Sequence, residues 1–209
     1  MEIEANYIKE VSKVSKTNAV SGYNQTEEKT QIDYSNYSAS EIRDIPYDEA
    51  KENYEQIKER VDDLGKEKLS ISESKELMKT YFQLNGVNQS DNDILNETMY
   101  ETMGDIEDPI RFSLELQTNL QDYYYGKETT ASFQSTDAYT SNHTDKELNE
   151  VQLSNINIDD FIDKMLETFT EDYASAKSAS MKEQYKDIVD GYSSFKENYD
   201  KAVTEPYYA

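Results

Sequence analysis

The residues able to carry chemistry are few in kind. The chain holds one histidine, His143, and no cysteine. That removes thiol nucleophiles, disulfides and thiolate metal sites together. His143 stands in the polar run "KETTASFQSTDAYTSNHTD" with no cysteine nearby to share a metal, so it reads as a solvated loop residue. No phosphate-cradling G-x-x-x-x-G-K-S/T loop, G-x-G-x-x-G turn or G-x-S-x-G elbow occurs. A Ser-His-Asp triad would have to recruit that loop histidine.

Carboxylates are the abundant alternative. Asp62 adjoins Asp63, Glu107 adjoins Asp108, and Asp159 clusters with Asp160 and Asp163. Acid–base hydrolysis needs one such carboxyl in an apolar cleft, where burial lets it hold a proton at neutral pH. With 44 acids in 209 residues, adjacency follows from abundance, and no pair is marked as the buried one. Asn88, Ser90, Asp91 and Asp93 offer oxygens for a hard cation, but their segment lacks the glycine an EF-hand requires at its sixth position. It is expected to be a turn built of helix caps. No catalytic, cofactor-binding or metal-ligating residue is assigned, and no cofactor is expected.

Composition narrows the partners. Net charge is −23, and acids outnumber bases in residues 1–45, 46–126 and 127–209 alike. Such a field opposes direct contact with nucleic acid phosphates and with anionic membrane surfaces. It suits a protein partner, basic in character, or serves simply for solubility. No apolar run approaches the ~18 residues of a membrane span, so no membrane insertion is expected. The start "MEIEANYIKEVSK" lacks the order of a cleaved secretory signal, which points to the cytoplasm or to export without such a signal. With 35% hydrophobic residues the core must be economical, and the 18 tyrosines carry much of it.

The elements that would position any site are helical throughout. Ile3, Tyr7, Val11 and Val14 fall at helical spacing in a short segment that needs a surface to dock on. Residues 17–40 read as a mobile polar linker. Ser38 or Ser40 could cap a short turn with Glu41 and Ile42. From Tyr47 to Leu64 an unbroken three-four stripe predicts one helix of 18 residues, with Asp44 as cap, Pro46 in the first turn and Gly65 as the stop. Further helices follow: one capped by Ser70 or Ser72 and closed by Gly86, and one capped by Ser90 or Asp91 and closed by Gly104. A third runs from Asp108–Pro109 to Gly126. This last has apolar residues on two sides, Ile110 and Leu114 on one, Phe112, Leu116 and Leu120 on the other, and is expected to be the most buried. Residues 127–156 are a Ser/Thr-rich loop. Residues 157–204 hold two helices, with Asn157 as a cap and Gly191 marking a kink or a close approach; 205–209 are a tail.

The expected fold is therefore all-α. It is an irregular bundle of about five to six helices with a mobile N-terminal region (1–45), a helical core (46–126), a long polar loop and a C-terminal helical pair (157–204) packed on that core. The stripe through Tyr54, Ile57 and Val61 is too short for a free-standing coiled coil and is expected to face another helix of this chain. Its alternative use, with Ile3, Tyr7 and Val11, is as a partner-binding seam.

The Ser/Asn/Gln/Thr-rich residues 1–40 and the lead-in "SASEIRDIPYDEAKENYEQI" resemble small proteins of low-GC bacteria, some associated with flagellar or type III export. The resemblance implies no catalytic residues. Function is expected to be that of a non-enzymatic interaction module: an adaptor, a chaperone-like protein or an exported accessory. The alternatives are an acidic nucleic acid mimic that occupies a DNA-binding protein and a carboxylate-based hydrolase.

Overall fold

The computed structural model describes residues 32–127, 129, 131 and 155–204. Among them a 3-10 turn, Tyr34–Asn36, precedes eight α-helices and no strand occurs. The helices are α1 (Ala39–Arg43), α2 (Tyr47–Glu52), α3 (Tyr54–Leu64), α4 (Ile71–Asn85), α5 (Asp93–Asp105), α6 (Pro109–Tyr124), α7 (Ile158–Ser175) and α8 (Ala179–Thr204). The all-α expectation holds. The helix count exceeds it because one expected helix is two and because the folded part starts earlier.

Helix starts follow the caps. The Ser38 hydroxyl accepts from the Glu41 N–H while the Glu41 carboxylate accepts from the Ser38 N–H, a reciprocal box that begins α1. Ser70 and Glu73 do the same for α4. Asp108 caps α6 with Pro109 behind it, and Asn157 caps α7. At the end of α6, Gly126 takes φ +65 and donates to the Tyr123 carbonyl at 3.1 Å, while the Lys127 N–H reaches Asp122 at 2.8 Å. This is the left-handed closure that glycine permits.

Several boundaries differ from expectation. Residues 34–45 are not linker: Tyr34, Ala39, Ile42 and Ile45 are buried. Polar composition hid them because their burial comes from distant partners. Thr80 of α4 donates to the Ala39 carbonyl at 2.8 Å, and Gln83 donates to the Arg43 carbonyl at 2.8 Å, the latter a helix-end group that α1 cannot pair itself. The expected mobility of residues 17–31, and the helix around Ile3, Tyr7 and Val11, lie outside the described residues, as does most of 127–156. Ala131, however, is fully buried in the core.

The 47–64 helix is broken at Asn53, whose φ of −114 and ψ of 15 close α2 before α3 begins. Its side chain donates to the Glu49 carbonyl at 3.1 Å. Pro46 is the N-cap of α2 rather than its first helical residue, and Asp44 closes α1. Asn92, not Ser90 or Asp91, caps α5, which runs past Gly104 to Asp105. The Asn88–Asp93 segment is indeed tied up in capping, with Ser90 and Asn96 exchanging bonds across the turn.

Two apolar clusters form the interior. The first gathers Ile42, Tyr47, Ala50, Ile57, Val61, Leu84 and Tyr100 from α1 to α5. The second joins α5, α6, α7 and α8 through Met99, Met103, Phe112, Leu116, Phe161, Phe169, Tyr192 and Phe195. Helix α5 is the shared wall: Tyr100 faces the first cluster and Leu95, Met99 and Met103 the second. It takes the place expected of α6, which keeps Ile110 and Leu114 outside.

Tyrosine hydroxyls anchor each cluster from within. Tyr100 donates to the Ile45 carbonyl at 2.7 Å. Asn119 of α6 donates to the Tyr192 hydroxyl at 2.9 Å, with the Phe169 ring stacked on Tyr192 at 5.7 Å. Between α5 and α8, Asn198 donates to Thr102 at 3.2 Å and to Asp105 at 3.1 Å, fixing the register of the pair.

These phenols give the fold an alkaline limit. Burial, then the charges of Asp172 and the fully buried Glu115, push Tyr185 up to about 12. Burial raises Tyr100 and Tyr192 well above 10 as well. In the unfolded chain all three ionise near 10, so the native state holds protons that the unfolded chain releases. Their stabilisation is intact below pH 10 and is lost as pH climbs through 12. Stability should therefore fall between pH 10 and 12, with a late phenolate absorbance step that coincides with loss of helical circular dichroism. Full phenolate absorbance in a chain that stays helical would contradict this burial.

Candidate functional site

Helices α4, α6 and α8 and the α5–α6 connection enclose an open groove of about 1200 Å³. Its apolar residues arise from helix periodicity. The Ser70 box starts α4 so that Ile71 and Met78, two turns apart, face outward while Thr80, Gln83 and Leu84 face inward. Ile71 is 82% exposed and Met78 42%. The Asp108 cap starts α6 so that Ile110 faces outward into the groove at 38%, while Phe112, Leu116 and Leu120 are buried; Leu114, one turn on and exposed, lies beyond the groove lining. Ile106, Pro109 and Ile188 complete the floor.

The walls carry charge in a definite arrangement. On α4, Lys75 and Lys79 lie one turn apart, and the Glu76 carboxylate beside them is bonded to Arg43. On the other side, Arg111 bridges α6 to α8, donating to the Gln184 carbonyl at 3.2 Å and to Asp187 at 3.4 Å. Lys186 pairs with Asp190 along α8, and the contact holds the Lys186 ammonium above its usual value. Glu183 adds acid to that side, and Glu107 stands in the α5–α6 connection.

The residues proposed from sequence fall elsewhere. Ile57 is fully buried and Val61 is 3% exposed, both in the first cluster. They are core residues and present nothing to another chain. Tyr54 is half-buried against the same cluster, its ring 5.4 Å from the Lys58 ammonium. Ile3, Tyr7 and Val11 lie outside the described residues, as does His143. The stripe that invited a seam is thus consumed inside the chain, and the groove was missed. The signal for it was the doubled apolar surface of the 109–124 helix, of which only one side is fully buried.

Of the carboxylate groups, Asp62, Asp63, Asp159, Asp160 and Asp163 face solvent. Glu107 and Asp108 sit exposed at the groove end, Asp108 being engaged in the α6 cap. Mimicry of a nucleic acid would need two rows of acids on one face. Helix α7 presents one row, Asp160, Asp163, Glu167 and Glu171, in which Lys196 neutralises Asp163 at 2.8 Å. Among the described residues no group of three or more acids or histidines is placed to hold a metal ion. Nor is any described helix long and apolar enough to cross a membrane.

Comparison with protein-family models, with curated proteins and with solved structures finds no match.

Proposed function

We propose that this chain is a non-enzymatic helical interaction module whose α4–α6–α8 groove binds another protein, in the manner of an adaptor, a chaperone-like protein or an exported accessory. The observation that carries the reading is the apolar set Ile71, Met78 and Ile110, left outward along the groove on two neighbouring helices of a chain with little apolar area to spare. Large outward apolar groups gathered in one place, framed by charge, are the usual mark of a contact surface. Solubility alone would have put polar residues there. The acidity of the chain, −23, steers a basic partner toward it and repels nucleic acid and anionic membranes.

The test uses two exposed positions, so the fold is spared. Wild type and the double variant Met78→Gln/Ile110→Asp serve as baits in the native cell extract, followed by mass spectrometry. Ile110 lies in the first turn of α6, where an added carboxylate suits the positive helix end. Melting should change little, as for most surface substitutions. Proteins recovered by wild type should be absent from the variant. Recovery of the same proteins by both would place the contact surface elsewhere.

A further inference from the structure

The charges around the groove say what kind of helix fits it, given the interaction reading above. We propose that the groove takes an amphipathic helix of a partner protein, apolar along one side and bearing acidic residues on one flank and basic residues on the other. The shape points to a helix: an open groove lined by α4, α6 and α8 offers the gap that a further helix fills by packing its ridges on theirs. A small ligand is a poorer fit, because its pockets enclose it and hold about 300–1000 Å³. This groove is larger, at about 1200 Å³, and open. A second copy of the chain is disfavoured because it would bring another −23 charges.

The flanks follow from the walls. Along α4 the acid Glu76 is taken up by Arg43, which leaves Lys75 and Lys79 to set a basic wall. Opposite, along α8, Glu183, Asp187 and Asp190 outnumber Lys186 and the Arg111 that reaches across from α6, which sets an acidic wall. A helix lying between them meets opposite charges only if its own flanks differ in sign. Reversing its direction exchanges the flanks, so sign also selects orientation.

Three fluorescein-labelled synthetic peptides test this, each a leucine-striped helix of about five turns. One has Lys on one flank and Glu on the other, one has Lys on both, and one has Glu on both. Anisotropy at physiological salt reads binding to the full chain. The mixed-flank peptide should bind wild type about tenfold more tightly than either of the others. Lys75→Glu/Lys79→Glu should transfer the preference to the all-Lys peptide, and Met78→Gln/Ile110→Asp should weaken the mixed one. Tightest binding of the all-Lys peptide to wild type would mean that only the net charge acts, and would overturn the proposal. So would binding indifferent to Met78 and Ile110. Absence of binding by all three peptides, while the captured proteins still depend on Met78 and Ile110, would reject the mixed-flank helix as occupant and leave the interaction reading standing.

Discussion

Ile57→Asp should unfold the chain or leave it barely stable at neutral pH, without any change in a binding surface. Ile57 is fully buried in the cluster that holds Val61, Leu84 and Tyr100, out of reach of solvent. The substitution removes about 1.5–3 kcal/mol of apolar burial. The introduced carboxyl must also take up a proton against an ordinary value near 4, which at pH 7 costs roughly a further 4 kcal/mol. The sum is of the order of the whole stability of a domain this size. Because the buried carboxyl has its value raised, the protonation cost is absent below about pH 4 and grows as pH rises, so part of the loss should be recovered in mild acid. Ile57→Val, which deletes one methylene, should cost only about 0.5–1.5 kcal/mol. Melting temperature and molecular mass measured together check the claim. A folded Ile57→Asp monomer with unchanged melting would show that α3 does not contribute to the core as described.

The second large effect is expected at Gly191, and its sign is the informative part. In an ordinary solvated helix, glycine to alanine stabilises by about 1 kcal/mol. Here a Cβ at position 191 would stand 2.3 Å from one carbon of the Phe112 ring and 2.5 Å from the next. The ring cannot swing away cheaply, since it is fully packed and lies edge-on to Tyr192 with centroids 5.1 Å apart. Gly191→Ala should therefore destabilise by about 1–3 kcal/mol, and Gly191→Val by more. Phe112→Leu should cost less in the Gly191→Ala background than in wild type, because it relieves the same clash. Denaturant midpoints of the four proteins provide the cycle. A stabilising Gly191→Ala would mean that α6 and α8 do not approach as closely as described.

Much of this architecture is legible in local sequence because helix caps and periodicity are local physics. Ser38 with Glu41, Ser70 with Glu73, Asp108 with Pro109, and Asn157 each mark a helix start by the donors they satisfy. Gly191 was legible as a place of close approach, although its partner was not. What escaped depends on distant parts of the chain. Nothing within residues 34–45 reveals that Thr80 and Gln83 will bond their carbonyls. Asn53 breaks a stripe whose spacing continues unbroken, because α2 and α3 turn to serve different neighbours: Tyr47 packs on Tyr100 of α5 at 5.6 Å, while α3 packs on α4. The groove escaped for the same reason. Ile110 and Phe112 are equally apolar in sequence, and only the placement of α8 and α7 decides that Phe112 is covered and Ile110 is not.

That outward row is the centre of the functional account, and one measurement addresses it most directly. The partner recovered by wild type is titrated, as purified protein, into wild type and into Met78→Gln/Ile110→Asp, with melting temperature recorded on the same samples. Melting should be nearly equal, with a loss of affinity of at least about tenfold in the variant, although its added carboxylate would by charge alone favour a basic partner. Equal affinity in two equally stable proteins would contradict it.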